Sequence, residues 1–244
     1  MVVKYLLAAL VAGLIAGGLV TVAQQAKVVP LILEAEKYEN APTQLHDHMS
    51  GLNISFATQA LAHEHEATTA DGAEDGGGML FGVNRITGTI MANLVTGCGF
   101  ALILLAVSLF TGRTVTVANG ALWGAAAWLS FQLLPSIGLP PELPGFPAGD
   151  LFDRQIWWTG TVIASAAGLY LIILRPEIWA KIGGLVLLLV PQVIGAPQPA
   201  DITTSVPAIL AAEYAVAALA TGLFFWVVIG LLLGTFNARF AKTA

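Results

Sequence analysis

The histidines of this chain lie in one acidic stretch, where they alternate with carboxylates. The set is His46, Asp47, His48, His63, Glu64, His65 and Glu66. Imidazole nitrogens and carboxylate oxygens together suit divalent transition metals such as cobalt, nickel, zinc and copper. We therefore predict that these side chains bind such a metal. The alternative is a solvated polar loop that gathers histidine and acid by chance.

The composition places this stretch in a membrane protein. Of the 244 residues, 57% are hydrophobic and 10% are charged, whereas a soluble domain carries about 25% charged residues. Lipid accepts helices because they satisfy their own backbone groups, so we expect an all-α integral membrane protein. No basic patch suggests nucleic acid as a partner, and the single cysteine, Cys98, cannot form an internal disulfide.

Apolar runs of suitable length predict a bundle of about six transmembrane helices. They cover residues 5–23, 87–110, 118–134, 155–174, 182–196 and 209–236. The first run could be a signal peptide, but it exceeds the roughly 7–15 apolar residues of a signal core, so we expect a retained helix. After Pro30, the amphipathic LILEAEKYEN predicts a helix near the membrane surface.

These runs divide the chain into a first transmembrane helix (1–24), a long extracytoplasmic histidine-rich loop (25–86) and a five-helix transmembrane bundle (87–244). Six of the ten lysines and arginines fall on the side of the N-terminus, in the short connections where basic residues best indicate the cytoplasmic side. We therefore predict a plasma (inner) membrane protein with both termini in the cytoplasm.

Polar residues within the predicted spans indicate where an ion could pass. Asn93, Gln132, Gln192 and Glu213 would be costly against lipid, so we expect them to face the bundle interior. We predict that Asn93, Gln192 and Glu213 line an ion route, because a dehydrating cation needs oxygen ligands. For Glu213 an interfacial anchor in the headgroup region is the alternative.

Small residues four apart predict close packing between helix backbones. The pairs are Gly13 and Gly17, Gly120 and Gly124, and Gly230 and Gly234.

Several segments, taken in order, resemble the CbtA family. They are AQQAKVVPLILEAEKYE, the HEHE motif with Asp-Gly after it, MANLVTGCGFALIL, LPPELPG and VIGAPQP. The resemblance implies a proposed cobalt transporter subunit linked to cobalamin synthesis. It also implies a small single-span CbtB-type partner that carries histidines. Both a homo-oligomer and a hetero-oligomer are compatible with the sequence. After HEHE this chain reads ATTADGAEDGGG, without the tryptophan and proline expected there.

The functional hypotheses fall into three classes. The chain has no nucleotide-binding glycine loop, no HExxH and no Gly-x-Ser-x-Gly, so we do not expect an enzyme. The leading hypothesis is a membrane transporter subunit that takes up a divalent metal, cobalt first. The alternatives are a non-transporting metal-binding or structural subunit of a larger membrane complex and, third, a membrane metalloenzyme that uses the loop histidines.

Replacing His46, His48, His63 and His65 together by alanine should abolish divalent metal binding. Neutral imidazole is the ligand, so binding by the unaltered protein should weaken as the pH falls through roughly 6.5. Isothermal titration with cobalt, nickel and zinc, above and below that pH, measures both effects. Equal binding by the two proteins would contradict the prediction.

Overall fold

The chain folds into helices, with no β-strand in the parts that the structure describes. The structure is a computed structural model, and it describes residues 2–39 and 84–242. The helices are α1 (Val2–Lys27), α2 (Val29–Glu39), α3 (Arg85–Phe110), α4 (Gly120–Trp128, continued by a π-helical segment Leu129–Leu133 and by Leu134–Ser136), α5 (Leu151–Leu174), α6 (Ile178–Ile194) and α7 (Ala208–Lys242). The prediction of an all-α fold is confirmed.

Four of these helices, α1, α3, α5 and α7, are long and apolar enough to cross a membrane. The third and fifth predicted spans correspond to the two short helices. Helix α6 has 17 residues, and α4 reaches a similar length only by including its π-helical segment. This length is at the lower limit of the roughly 17–25 residues of a spanning helix, so the six-span arrangement stays a prediction.

Glycines bring the helices together as antiparallel pairs. The crossing points are Gly13–Gly97 between α1 and α3, Gly120–Gly230 between α4 and α7, and Gly168–Gly184 between α5 and α6. At each crossing, a Cβ on either glycine would lie between 2.0 and 2.7 Å from the other's carbonyl oxygen. The close packing predicted for the three glycine pairs is confirmed, because Cβ positions at their other members, Gly17, Gly124 and Gly234, also lie 2.2–2.4 Å from backbone atoms of the neighbouring segment. The α5–α6 crossing adds a third.

Helix α1 joins two of these pairs, because it packs against both α3 and α7. Its contact face is built of alanines, including the fully buried Ala8, Ala12 and Ala16. They belong to one core cluster with Ile229 and Leu233 of α7. The α5–α6 pair is attached differently: among the described helices, its contacts with the rest run through α4, mostly at the π-helical segment and the turn after it.

One end of the bundle is covered by a layer that we name the cap, which consists of Val28, α2 and the connectors 137–150 and 195–207. Val28, Leu143 and Val206 are buried together there. The connectors are tied to each other and to α2: Thr204 donates to the Gly145 carbonyl at 2.9 Å, and Ser205 donates to the Tyr38 carbonyl at 3.2 Å. The cap thus holds three parts of the chain at the same end of the bundle.

An ion pair fixes the proline-rich connector of the cap to α5. Nη2 of Arg154 lies 2.8 Å from Oε2 of Glu142, and the two side chains are 12% and 22% exposed. Burial raises the pKa of the Glu142 carboxyl, and the charge of Arg154 opposes this shift. Loss of the arginine would therefore leave a largely buried carboxylate without its counter-charge.

Gly97→Ala should destabilise the bundle, because the new Cβ would lie 2.2 Å from the Gly13 carbonyl oxygen. Helices α1 and α3 would have to separate, and overpacking of this kind costs about 1–3 kcal/mol. Gly99→Ala is the matched control on the same helix, since nothing lies within 4 Å of its Cβ position. Thermal unfolding in detergent should give a lower Tm for Gly97→Ala alone. Equal Tm values would argue against the crossing.

Reporter fusions after Ala70 and after Asp201 should both report the external side, and a fusion after Thr243 the cytoplasm. The reason is that Ala70 lies between α2 and α3 in sequence, while Asp201 belongs to a connector that contacts α2 in the cap. Alkaline phosphatase activity of membrane-inserted fusions gives the readout. A cytoplasmic reporter at Asp201 would show that α6 does not cross.

Candidate functional site

The predicted metal ligands lie outside the described residues. This holds for all seven side chains from His46 to Glu66. Within residues 2–39 and 84–242, no three His, Cys, Asp or Glu side chains are grouped so that they could hold a metal ion. A site built on the described residues must therefore use other oxygen ligands.

A cavity of about 80 Å³ with oxygen-bearing side chains in its lining lies below the cap among α1, α3, α4, α5 and α7. We name it the cap cavity. Its polar lining consists of amides and hydroxyls: Gln24, Asn93, Thr96, Gln132, Ser136 and Thr221. No charged side chain contributes to the lining. At about 30 Å³ for each water in the liquid, the cavity has room for roughly three waters. It can therefore hold a cation that keeps only part of its hydration water.

Asn93 connects α3 to α1 at the side of the cap cavity. Its Nδ2 donates to Oγ1 of Thr21 at 2.9 Å and to Oε1 of Gln24 at 2.7 Å. These bonds use both amide hydrogens. Oδ1 is then the remaining acceptor, and it has no protein partner in the described part of the chain. Gly17 makes this approach possible, because a Cβ there would lie 2.3 Å from the Asn93 carbonyl oxygen.

Gln132 enters the cap cavity from the π-helical segment of α4. Its Oε1 is buried and accepts no hydrogen bond from the residues that the structure describes. Gly222 of α7 gives it space, since a Cβ there would lie 2.2 Å from this oxygen. A buried acceptor without a partner costs about 1–3 kcal/mol. Rotation of the side chain into the cavity would let this oxygen bind a cation or accept a hydrogen bond from water. A π-helical segment is also a common setting for a functional site.

An aromatic layer closes the cap cavity on the side away from the cap. It consists of Phe100, Phe131 and Trp226, whose ring centroids lie 5.5 Å (Phe100–Phe131), 4.6 Å (Phe100–Trp226) and 5.3 Å (Phe131–Trp226) apart. Trp226 is 1% exposed and is among the largest fully buried side chains. Beyond the layer lies a second, mostly apolar cavity among α3, α4 and α5, and Phe131 and Trp226 line both cavities.

The three predicted route residues lie in three different places. Asn93 lines the cap cavity. Nε2 of Gln192 on α6 donates to the Leu134 carbonyl at 2.9 Å, which joins α6 to the end of α4. Glu213 is exposed on α7, next to the exposed Ile209 and Val216. Gln192 and Glu213 are thus not part of the cap cavity lining.

Gln24, which was not predicted as a site residue, is only 7% exposed and accepts a hydrogen bond from Asn93. A signal was present. Gly13, Gly17, Thr21 and Gln24 are spaced four, four and three residues apart, so they share the face of α1 that packs on α3. Gly13 and Gly17 therefore indicate the face of α1 that contacts α3, and this face continues into the polar residues Thr21 and Gln24.

Comparison with known proteins gives one match. The family model of a probable cobalt transporter subunit (CbtA) matches residues 2–238, which is nearly the whole chain. The matched range includes the cap, the cap cavity and the aromatic layer. No curated protein and no solved structure gives a significant match.

Proposed function

Because the chain belongs to the CbtA family of probable cobalt transporter subunits, we propose that it takes up a divalent transition metal, cobalt first, and that the ion passes through the cap cavity. The observation that carries this proposal is a cavity lined by neutral oxygen ligands inside a bundle of apolar helices. The chain would lie in the plasma membrane with both termini in the cytoplasm, so that the cap faces outward.

Neutral ligands suit passage better than storage. A conducting site must bind its ion well enough to let it enter and weakly enough to let it leave. Carboxylates would hold a divalent cation tightly, whereas the amide oxygens of Asn93 and Gln132 can replace a few waters of its hydration shell. Both oxygens lack a protein partner among the described residues, so a cation or its bound water could use them without breaking an existing bond.

The aromatic layer closes the cap cavity on the side away from the cap. An ion could pass only after Phe131 moves, and Phe131 belongs to the same π-helical segment as Gln132. The α5–α6 pair contacts that segment. A shift of the pair would therefore move the amide ligand and the aromatic barrier together.

We place metal capture ahead of this step, at the His46 to Glu66 ligands on the outer side. A CbtB-type single-span subunit with its own histidines would work beside this chain. Glu213 suits a contact with such a subunit or with lipid headgroups, because it is a carboxylate on the exposed, otherwise apolar face formed with Ile209 and Val216. It lies in the second turn of α7, close to the cap end.

Gln132→Leu should reduce cellular uptake of labelled cobalt by about tenfold and leave the fold intact. The uptake loss corresponds to one oxygen ligand, at roughly 1–3 kcal/mol. Leucine of similar shape removes a buried acceptor that has no partner in the described structure, so Tm should stay the same or rise. Uptake must be measured in cells that express the whole transporter, at matched membrane levels.

Gln192→Leu is the matched control, and the opposite pattern is expected from it. Its amide donates to the Leu134 carbonyl, so leucine should lower Tm while uptake is kept. Normal uptake by Gln132→Leu would place the route outside the cap cavity. Glu213→Gln then becomes the decisive variant: loss of uptake would put the route at the exposed face of α7, and normal uptake would leave Glu213 as an interfacial anchor.

A further inference from the structure

A second cavity, of about 290 Å³, lies among α3, α4 and α5 on the far side of the aromatic layer, and we name it the Arg113 cleft. Its walls are almost entirely aliphatic and aromatic. Leu122 and Ile173 on its rim are 72% and 60% exposed. Helices α3 and α5 are both apolar enough to cross a membrane. The cleft is therefore a lateral opening toward the lipid, and a lipid chain is the ligand that its walls suit.

Arg113 lies at the end of this cleft, in the turn between α3 and α4. The backbone of this turn is fixed: the Arg113 amide donates to the Ser108 carbonyl at 3.0 Å, and the Ser108 hydroxyl donates to the Arg113 carbonyl at 2.7 Å. Asn119 also stays within the turn, where it accepts from the Thr116 amide and donates to the Thr114 carbonyl. The exposed Arg113 guanidinium, by contrast, has no hydrogen bond or ion pair with any described residue.

We infer that the Arg113 cleft binds one anionic phospholipid, with an acyl chain between α3, α4 and α5 and the headgroup phosphate on Arg113. A guanidinium binds phosphate oxygens through paired, charge-assisted hydrogen bonds. No aspartate or glutamate lines the cleft, so nothing there would bind the ammonium group of a zwitterionic headgroup. The net positive charge of the site thus favours an anionic lipid.

This inference depends on the membrane helices and not on the transport route. Its readout is bound lipid, so it can fail while the uptake proposal stands, and the reverse is also true. The purified full-length protein should be incubated in detergent with phosphatidylglycerol or phosphatidylcholine. Bound lipid is then counted by native mass spectrometry.

Unaltered protein should retain phosphatidylglycerol in preference to phosphatidylcholine, and Arg113→Gln should lower phosphatidylglycerol retention about fivefold, which corresponds to roughly 1 kcal/mol for one basic residue. Arg175→Gln is the matched control at the same end of the bundle. Arg175 does not line the cleft, and its Nε lies 3.8 Å from a Glu177 oxygen. Equal retention by Arg113→Gln and the unaltered protein, or an equal loss in Arg175→Gln, would overturn the inference.

A second pair of variants tests whether the acyl chain occupies the cleft. Both Ala166 and Ala167 of α5 are exposed, but only Ala166 lines the cleft. Ala166→Phe should fill the cleft and reduce phosphatidylglycerol retention with Arg113 still present, and Ala167→Phe should not. Circular dichroism and Tm show whether each variant is folded. Full retention by a folded Ala166→Phe would mean that the lipid is not held in the cleft.

Discussion

Direct contact between helix backbones at three glycine crossings determines how the other parts of this bundle can be placed. Lipid gives apolar helices little reason to leave it, so association depends on close packing and on hydrogen bonds between helices. At Gly17 the backbones come close enough for Asn93 to reach Thr21 and Gln24. Because glycine has no side chain, α1 and α3 approach each other one or two turns from these polar residues. This approach holds the polar side chains below the cap in position.

The π-helical segment of α4 connects three features that would otherwise be separate. It carries Gln132 in the cap cavity and Phe131 in the aromatic layer, and it lies where the α5–α6 pair meets the rest of the bundle. Gly222 leaves the space that the Gln132 side chain occupies. Because π-helical segments often occur at functional sites, a conformational change in this segment would link the lining of the cap cavity to the aromatic layer.

The sequence predicted the helices well, because each depends on a local run of apolar residues. Each of the six apolar runs coincides with a helix, except for residues 118–119 and 195–196 at the ends of two runs, and the amphipathic segment after Pro30 belongs to α2. It predicted two of the three glycine crossings, where small residues repeat along one helix. The crossing of Gly168 with Gly184 was not predicted, because only glycine pairs four apart were considered and the repeat here, Gly160, Ala164 and Gly168, includes an alanine.

The candidate site was less predictable. Asn93 was identified from its polarity alone, but the pairing of Gln132 with Gly222 joins residues 90 positions apart in the sequence, and no local pattern encodes it. Gln192 and Glu213 do not line the cap cavity: Gln192 joins α6 to the end of α4, and Glu213 lies on the exposed face of α7. The histidine and acid ligands stay a prediction, since they lie outside the described residues.

The unequal lengths of the helices have a consequence for the surrounding bilayer. Helix α6, with 17 residues, spans about 26 Å, and α7, with 35 residues, about 52 Å at 1.5 Å per residue. The hydrocarbon core is about 30 Å thick. If α6 crosses the bilayer as predicted, the bilayer must become thinner beside it or the residues that flank α6 must reach to the interface, while α7 extends beyond the hydrocarbon core or tilts. The stability of the protein should then depend on the acyl chain length of the lipids beside α6.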